Sequence, residues 1–226
     1  MGLSPRISVP EPRRVSSMEG WIAPALRSFL ATLSWPGERL IRGVASACPG
    51  TSLSAKRHIA VDSFVAASAL LELLSFWAIS SAAADAVRLG CVIFCIWRTV
   101  DVISSRILSV LFEKHHTSHA ATFHGASNER KVILGLVNYF QLIVCFAAIY
   151  RYWPDSFSGA DLVGDPLSAV YFSAITQVTI GYGDIHPVGA MRWVAVSQGI
   201  SGLMLLSLFI ARFLAVMAHQ RQDDTK

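Results

Sequence analysis

Apolar residues are grouped along this chain into long runs that polar and charged residues separate. The runs extend over about residues 59–83, 85–112, 131–152 and 190–217. A helix needs about 20 mainly apolar residues to cross a bilayer. Each run meets that length, although the second carries several charges. The pattern therefore predicts four transmembrane helices.

An amphipathic helix is predicted before these runs, from Met18 to about Ala47. Its apolar residues recur on one face, but Pro24, Arg27 and Pro36 interrupt the stretch. Such a helix suits the cytoplasmic interface of a bilayer. Packing against other parts of the protein explains the same pattern equally well.

A short helix is predicted between the last two runs, from Pro166 to Gln177. Asp165 is suited to the N-cap and Pro166 to the first helical position. The helix measures about 18 Å, which is too short to cross the bilayer. We therefore expect it to enter the membrane and end inside the protein, where the negative end of its dipole favours a cation.

The segment after this helix reads TIGYG over residues 179–183. Its glycines alternate with larger residues and allow backbone conformations that other residues avoid. Consecutive carbonyl groups can then face one axis, while Ile180 and Tyr182 point away and pack behind them. Such a ring of oxygens replaces the hydration shell of an ion. One chain supplies a quarter of the ring, so the segment predicts a homotetramer.

Residues Thr176 to Asp184, with Pro187 shortly after, resemble the signature of tetrameric potassium channels. The order of outer helix, pore helix, filter and inner helix is similar to the two-helix pore domain of that family over residues 131–218. The first 130 residues resemble no family. The resemblance implies an all-α membrane protein in which two further transmembrane helices and the amphipathic helix precede the pore domain. It also implies passive K⁺ conduction without a cofactor or an enzymatic reaction.

The resemblance assigns roles to individual residues. The ion ligands would be Thr179, Ile180, Gly181, Tyr182 and Gly183, with K⁺ held at the first four. Asp184 would brace the filter from behind, with Tyr171 within its reach, although Ile175 stands where some bacterial members have Glu. The hinge of the inner helix falls on Gly202, with Gly199 as the other candidate. The cavity would be lined by Leu203, Leu206, Ile210 and Leu214, a stripe that ordinary helix packing explains equally well.

Three charges lie inside the predicted spans, namely Glu72, Arg98 and Asp101. Charges in a membrane are costly and usually face protein or water. A voltage sensor would carry Arg or Lys at every third position, which this sequence does not show. We expect Arg98 to pair with Asp101 and Glu72 instead, and so to dock the first two spans on each other or on the pore.

Histidines occur at two places where protons could act. His186 follows the filter at the outer mouth, and histidine changes charge between pH 5 and 8, so it is a candidate proton sensor or a plain surface residue. The second group lies between the second and third runs, where a solvated linker is favoured over a zinc or proton site. It consists of His115, His116, His119 and His124.

Composition and charge complete the prediction. The chain is 53% hydrophobic and 15% charged, with a net charge of +4, and about a quarter of residues is charged in a typical soluble domain. Basic residues flank the apolar runs, which predicts an integral protein of the plasma membrane with both termini cytoplasmic. Nucleic-acid binding is not expected. The expected partners are three further copies, membrane lipid and an unidentified regulatory partner.

The predicted domains are a cytoplasmic tail over residues 1–58, two transmembrane helices over 59–112 and a linker over 113–130. The pore domain over 131–218 and a second tail over 219–226 follow. A weakly selective cation channel of the same fold is the nearest alternative, and the intact filter argues against it. A transporter would need four divergent loops, and a non-conducting regulatory subunit would show a broken filter.

Overall fold

The computed structural model describes residues 22–47, 53–81, 83–111, 128–159 and 165–223. These residues form helices and one pair of short strands. The helices are α1 (Ile22–Ala47), α2 (Leu53–Ser80), α3 (Asp85–Leu111), α4 (Asn128–Tyr152), α5 (Pro166–Gln177) and α6 (Met191–Asp223). The strands are β1 (Phe157–Ser158) and β2 (His186–Pro187). The predicted fold class is confirmed, and the strand pair is an addition that the sequence did not indicate.

Three helical segments among the described residues are long and apolar enough to cross a membrane. They are His58–Ser80, Val132–Tyr152 and Met191–Ala211. The helix α3 is not one of them, because Arg98 and Asp101 lie near its middle and further arginines lie towards both ends. Its crossing of the membrane therefore stays a prediction.

Helix boundaries differ from the predicted domains by a few residues. The helix α4 begins at Asn128, inside the predicted linker, and α6 continues to Asp223, inside the predicted tail. Lys, Arg and Gln favour helix, so the hydrogen-bonded backbone continues past the apolar run. The helix α2 ends at Ser80, before the predicted end of its span.

The helix α1 is continuous although Pro36 lies inside it. Its buried face contacts α2 and α3, and Ile41 packs against Val61 and Val65 of α2. At Gly37 an added Cβ would lie 2.8 Å from an Asp101 carboxylate oxygen, so glycine permits the close approach to α3. Packing against the protein thus accounts for one face of α1. The exposed apolar residues Leu26, Phe29 and Leu40 remain available for the bilayer interface.

Contacts at the two ends of the bundle show how the helices run. At one end Arg130 of α4 donates to the His58 carbonyl of α2 at 2.7 Å and to the Asp62 carboxylate at 2.6 Å. At the other end the Arg88 guanidinium of α3 lies 5.8 Å from the ring centre of Tyr152 in α4. The helices α2 and α4 therefore begin on the same side, and α3 runs in the opposite direction.

The short helix α5 is packed between α4 and α6. Three rings, Tyr150, Phe157 and Phe172, meet edge to face with centres 5.0–5.3 Å apart. Buried Leu142 of α4 and Leu205 of α6 extend this core. The rings come from α4, β1 and α5, so they fix the angle at which α5 packs against α4.

The strands tie the two ends of the loop region together. Phe157 pairs with Pro187 and Ser158 with His186 in antiparallel register. The Val188 amide also donates to the Ser156 carbonyl at 2.8 Å. As a result, the segment that follows residues 179–184 is held against the segment that follows α4.

Candidate functional site

The start of α5 is fixed by its predicted cap. The Asp165 carboxylate accepts hydrogen bonds from the Leu167 amide at 3.0 Å and from the Ser168 hydroxyl at 2.7 Å. Pro166 occupies the first helical position, where its missing N–H costs nothing. The predicted bounds of this helix are confirmed.

Backbone conformation alternates along the segment that leaves α5. Thr179, Gly181 and Gly183 have φ values of 61°, 55° and 81°, in the left-handed region, whereas Ile180 and Tyr182 are not left-handed. The amides of Ile180 and Gly181 both point back to the Ile175 carbonyl, at 2.9 and 3.3 Å. In a trans peptide the C=O points opposite to the N–H, so the carbonyl groups of Thr179 and Ile180 face away from α5. This is the arrangement that a ring of ion-binding carbonyls requires.

Thr179 was not predicted to be left-handed. This conformation is unfavourable for a β-branched residue and costs on the order of 1–3 kcal/mol. The hydrogen bond from the Thr179 amide to the Thr176 carbonyl, at 3.1 Å, helps to hold it. The sequence indicated only the glycines, because nothing in the residue type of Thr179 signals a positive φ.

Ile180 and Tyr182 keep more than half of their surface exposed. Their exposed fractions are 53% and 70%. The sequence predicted that both would pack behind the filter, and the described residues of one chain do not cover them. Their packing behind the filter therefore stays a prediction.

Two hydrogen bonds and one close backbone contact fix the position of Asp184. Tyr171 donates from its hydroxyl to one carboxylate oxygen at 2.8 Å, and the Ile185 amide donates to the other at 3.0 Å. The hydrogen bond to Asp184 raises the pKa of the Tyr171 phenol. Gly159, with a φ of 97°, lies against the Asp184 carbonyl, where an added Cβ would come within 1.9 Å of the oxygen. Sequence reasoning named Tyr171 and missed Gly159.

The two hinge candidates on α6 have different surroundings. At Gly202 an added Cβ would lie 2.6 Å from the Gln177 carbonyl oxygen and 3.1 Å from the Gln177 side chain. At Gly199 it would meet no described atom within 4 Å. Close packing against the end of α5 therefore explains glycine at position 202. Bending at either position stays a prediction, since α6 is a continuous helix through both.

The apolar stripe of α6 is exposed on the single chain. Its four residues recur at helical spacing and keep between 45% and 59% of their surface exposed. They are Leu203, Leu206, Ile210 and Leu214. The described residues of the chain do not cover this stripe, and its role as a cavity wall stays a prediction.

The two predicted groups of histidines fall in different places. His186 is exposed and lies in β2, opposite Ser158. The linker histidines at 115, 116, 119 and 124 lie outside the described residues. Within the described part of the chain, no group of three or more His, Cys, Asp or Glu residues could hold a metal ion.

The three charges predicted to lie in the membrane come together around Arg98. Its guanidinium lies 2.7 Å from an Asp101 carboxylate oxygen and 3.3 Å from a Glu72 carboxylate oxygen. All three side chains are almost completely buried. The guanidinium also donates to the Gln141 side chain of α4 at 3.2 Å, and Gln141 in turn donates to the Ser68 hydroxyl of α2 at 3.0 Å. The charges thus connect α2, α3 and α4.

Sequence reasoning missed Gln141. It also missed a set of buried neutral groups in the part of the chain from α4 to α6, here called the pore half. This set is called the amide network and consists of Tyr150, Ser173, Gln177 and Gln198. Polar residues inside apolar runs are the signal that could have found both. In the sequence Gln198 stands 48 residues from Tyr150 and 25 residues from Ser173, so their meeting could not be read from spacing.

Comparison with known proteins places the described geometry in context. Residues 138–219, which run from α4 through the 179–184 segment into α6, match the family of ion channels. The chain is 32% identical over 44 residues to Protein LctB of Bacillus caldotenax and 34% identical over 44 residues to Protein LctB of Geobacillus stearothermophilus. Each alignment covers 20% of this chain and 33% of the relative, so the chain spans about a third of the length of these curated relatives. No solved structure matches. The family match over residues 138–219 and the apolar helices indicate an integral membrane protein with an ion channel domain.

Proposed function

We propose that the protein is one subunit of a homotetrameric channel that conducts K⁺ passively and selectively across the plasma membrane. The observation that supports this most strongly is the alternating backbone conformation at Thr179, Gly181 and Gly183. In this conformation the amides of Ile180 and Gly181 face α5, and the carbonyl oxygens on the opposite side of these peptides can face an ion.

The chemistry of this segment suits a dehydrated monovalent cation. The proposed ligands are backbone oxygens, which carry partial rather than full charges. Asp184, the acid next to them, has both carboxylate oxygens occupied by Tyr171 and the Ile185 amide. A ring of neutral carbonyl dipoles binds an ion well enough to replace its water and weakly enough to release it. The carbonyl end of α5 adds a favourable potential for a cation.

Exposed apolar groups support the tetramer. Residues 179–183 are called the carbonyl segment here. The side chains of Ile180 and Tyr182 in this segment are largely exposed, and so is the apolar stripe of α6. One chain carries one such segment, so four copies around an axis would close the ring. In that assembly Ile180 and Tyr182 pack against a neighbouring subunit, and the stripe lines an inner cavity that can close by dewetting.

The remaining predicted residues take supporting roles in this proposal. Tyr171 and Asp184 brace the outer end of the filter, and Gly202 or Gly199 provides the bend of the inner helix. The charges of Glu72, Arg98 and Asp101 dock the first helices on α4. Both termini are cytoplasmic, because the basic ends of α2 and α4 lie on one side of the bundle.

Ion flux into liposomes tests this function. Vesicles that contain the protein should take up K⁺ under a gradient and admit Na⁺ at least tenfold more slowly. Gly181→Ala should remove that preference, since a Cβ is strained at a φ of 55°. Gly43→Ala is the matched control, because Gly43 lies in α1 with no described atom near the added Cβ. Equal K⁺ and Na⁺ flux through the unmodified protein would instead indicate a weakly selective cation channel.

Assembly is tested separately by native mass spectrometry in detergent. The proposal predicts a species of four times the 24.6 kDa chain mass. A protein that remains monomeric or dimeric while it conducts K⁺ would contradict the tetramer.

A further inference from the structure

The amide network lies behind the carbonyl segment and joins all three helices of the pore half. The Gln198 side chain of α6 is its centre, with no exposed surface. Its amide nitrogen donates to the Ser173 carbonyl and to the Ser173 hydroxyl, both at 2.9 Å, and to the Gln177 side-chain oxygen at 3.1 Å. Its own oxygen accepts from the Tyr150 hydroxyl of α4 at 2.6 Å.

The network continues from Ser173 to α4. The Ser173 hydroxyl donates to the Ile143 carbonyl at 2.7 Å. The Gln198 oxygen is therefore occupied by one donor and its nitrogen by acceptors, whereas the buried side-chain nitrogen of Gln177 has no hydrogen-bond partner among the described residues. Buried polar groups whose bonds are all made fix one orientation, and they become costly when a partner is lost. Three helices are held here by directional bonds rather than by apolar packing alone.

The position of the network along α5 gives it a specific consequence. Ser173 lies one turn before Gln177, and Gln177 lies two residues before Thr179, where the carbonyl segment starts. A second bond acts at the same end, from the Tyr139 hydroxyl to the Gln177 carbonyl at 3.2 Å. A small tilt of α5 would move every carbonyl oxygen that follows. Ion binding depends on the positions of these oxygens, so it depends on what holds α5.

We propose that Gln198 is a positioning residue for the ion site: its amide fixes α5 between α4 and α6 and thereby sets the affinity of the filter for K⁺. This rests on the proposed function, because it needs K⁺ to bind at residues 179–183. It adds a determinant on the inner helix that contacts no ion itself. Ile175, whose carbonyl receives the filter amides, has no side-chain group to supply such a brace.

Potassium-dependent thermal stability tests this role in the full-length tetramer. K⁺ that binds only the folded tetramer stabilises it by RT ln(1 + [K⁺]/Kd), so the dissociation temperature begins to rise once K⁺ exceeds Kd. A fit to this relation gives Kd, the K⁺ midpoint at which half of the sites are occupied. Gln198→Leu should raise this K⁺ midpoint about tenfold, because the side chain keeps its bulk and loses its amide. Ser201→Ala is the matched control, since the hydrogen bond described for its hydroxyl is to the Ser197 carbonyl of the same helix, and its midpoint should stay within about twofold.

A second variant covers the case in which Gln198→Leu does not assemble. Tyr150→Phe keeps the ring contacts to Phe157 and Phe172 and removes one hydrogen bond to Gln198. It should raise the K⁺ midpoint about threefold. Where both variants assemble, the double variant should match Gln198→Leu alone rather than the product of the two effects, because both act through one network.

The outcomes separate this inference from the function on which it rests. A dissociation temperature that falls equally at all K⁺ concentrations, with an unchanged midpoint, would make Gln198 merely structural and overturn the inference alone. A midpoint unchanged in Tyr150→Phe, when Gln198→Leu does not assemble, would do the same. Unmodified protein that K⁺ stabilises no better than Na⁺ would contradict the proposed function and the inference with it.

Discussion

The two halves of the protein bury their polar groups in different ways. In the pore half, from α4 to α6, the amide network is neutral: Tyr150, Ser173 and Gln198 share hydrogen bonds and no net charge. A charged side chain, Arg151, is also buried in this half, near the end of α4. In the first half, α2 and α3 bury full charges, with Arg98 between Glu72 and Asp101. The contrast shows two ways to hold packed helices at a fixed separation.

Each arrangement has its own physical consequence. A neutral network is directional, so it sets angles and distances, as a site built from carbonyl oxygens requires. A buried charge cluster holds only while every partner is present, because an uncompensated charge in a low dielectric is very costly. The helix α4 belongs to both, since Gln141 contacts Arg98 and Tyr150 contacts Gln198. Movement of the first helices would therefore reach the pore through α4.

The largest effect is expected when the charge cluster loses its centre. Arg98→Leu removes the guanidinium that contacts both Glu72 and Asp101, while Arg106 stays near Asp101, and should destabilise the packing of α2 and α3 on α4 by about 3–5 kcal/mol. Hydrogen exchange should report faster exchange in α2 and α3 than in α5. Arg88→Leu is the control, because its 3.6 Å contact involves an almost fully exposed Asp85, and such pairs contribute about 0–1 kcal/mol.

A neutral triple variant sharpens the same contrast. Glu72→Gln, Arg98→Met and Asp101→Asn together remove every charge of the cluster. Exchange in α2 and α3 should then return close to that of the unmodified protein, because no uncompensated charge remains. Exchange as fast as in Arg98→Leu alone would show that the cluster acts through its specific contacts and not through charge balance.

The next largest effect concerns the two glycines of α6. Gly202→Ala places a Cβ 2.6 Å from the Gln177 carbonyl oxygen and should destabilise the tetramer by about 1–3 kcal/mol through overpacking. Gly199→Ala has room and should stabilise the helix by up to about 1 kcal/mol. Thermal dissociation of the two variants measures the difference. Equal destabilisation by both would contradict the packing role of Gly202.

A smaller effect is expected at the outer end of the filter. Tyr171→Phe removes the hydrogen bond to Asp184 and should reduce the stability of the conducting filter by about 1 kcal/mol. Currents should then decline about fivefold faster when external K⁺ is low. Tyr152→Phe serves as the control, because the contacts described for its ring are with Trp153 and Arg88 and not with the filter. An unchanged decline in Tyr171→Phe would remove this residue from the bracing of Asp184.

The smallest effect is expected from His186. His186→Arg places a fixed positive charge beside the proposed mouth and should reduce inward K⁺ current, by less than about twofold because the side chain is exposed and screened. His186→Gln, which adds no charge, should leave the current unchanged. An unchanged current in His186→Arg would leave His186 as a surface residue.

The sequence predicted the pore half well because its signals are local. Asp165 and Pro166 mark a helix start through their own chemistry, and Gly181 and Gly183 mark an unusual backbone. The sequence missed two features of this half. Gly159 approaches Asp184 only after the strands pair, and Thr179 carries a positive φ that its residue type disfavours.

The first half was harder to predict for the opposite reason. The sequence indicated that Arg98 needs carboxylate partners, because an isolated charge in a membrane is costly. It did not indicate that α1 would pack on α3 through Gly37, or that Gln141 would complete the cluster. These contacts depend on how helices approach each other, and helical periodicity alone does not fix that approach.

The reversal potential of single channels in a planar bilayer tests most directly whether residues 179–183 select K⁺. With K⁺ on both sides, the reversal potential should shift by about 59 mV for each tenfold change in the K⁺ ratio. Addition of Na⁺ to either side should leave it unchanged. A reversal potential that follows the Na⁺ gradient as closely as the K⁺ gradient would contradict selectivity by this filter.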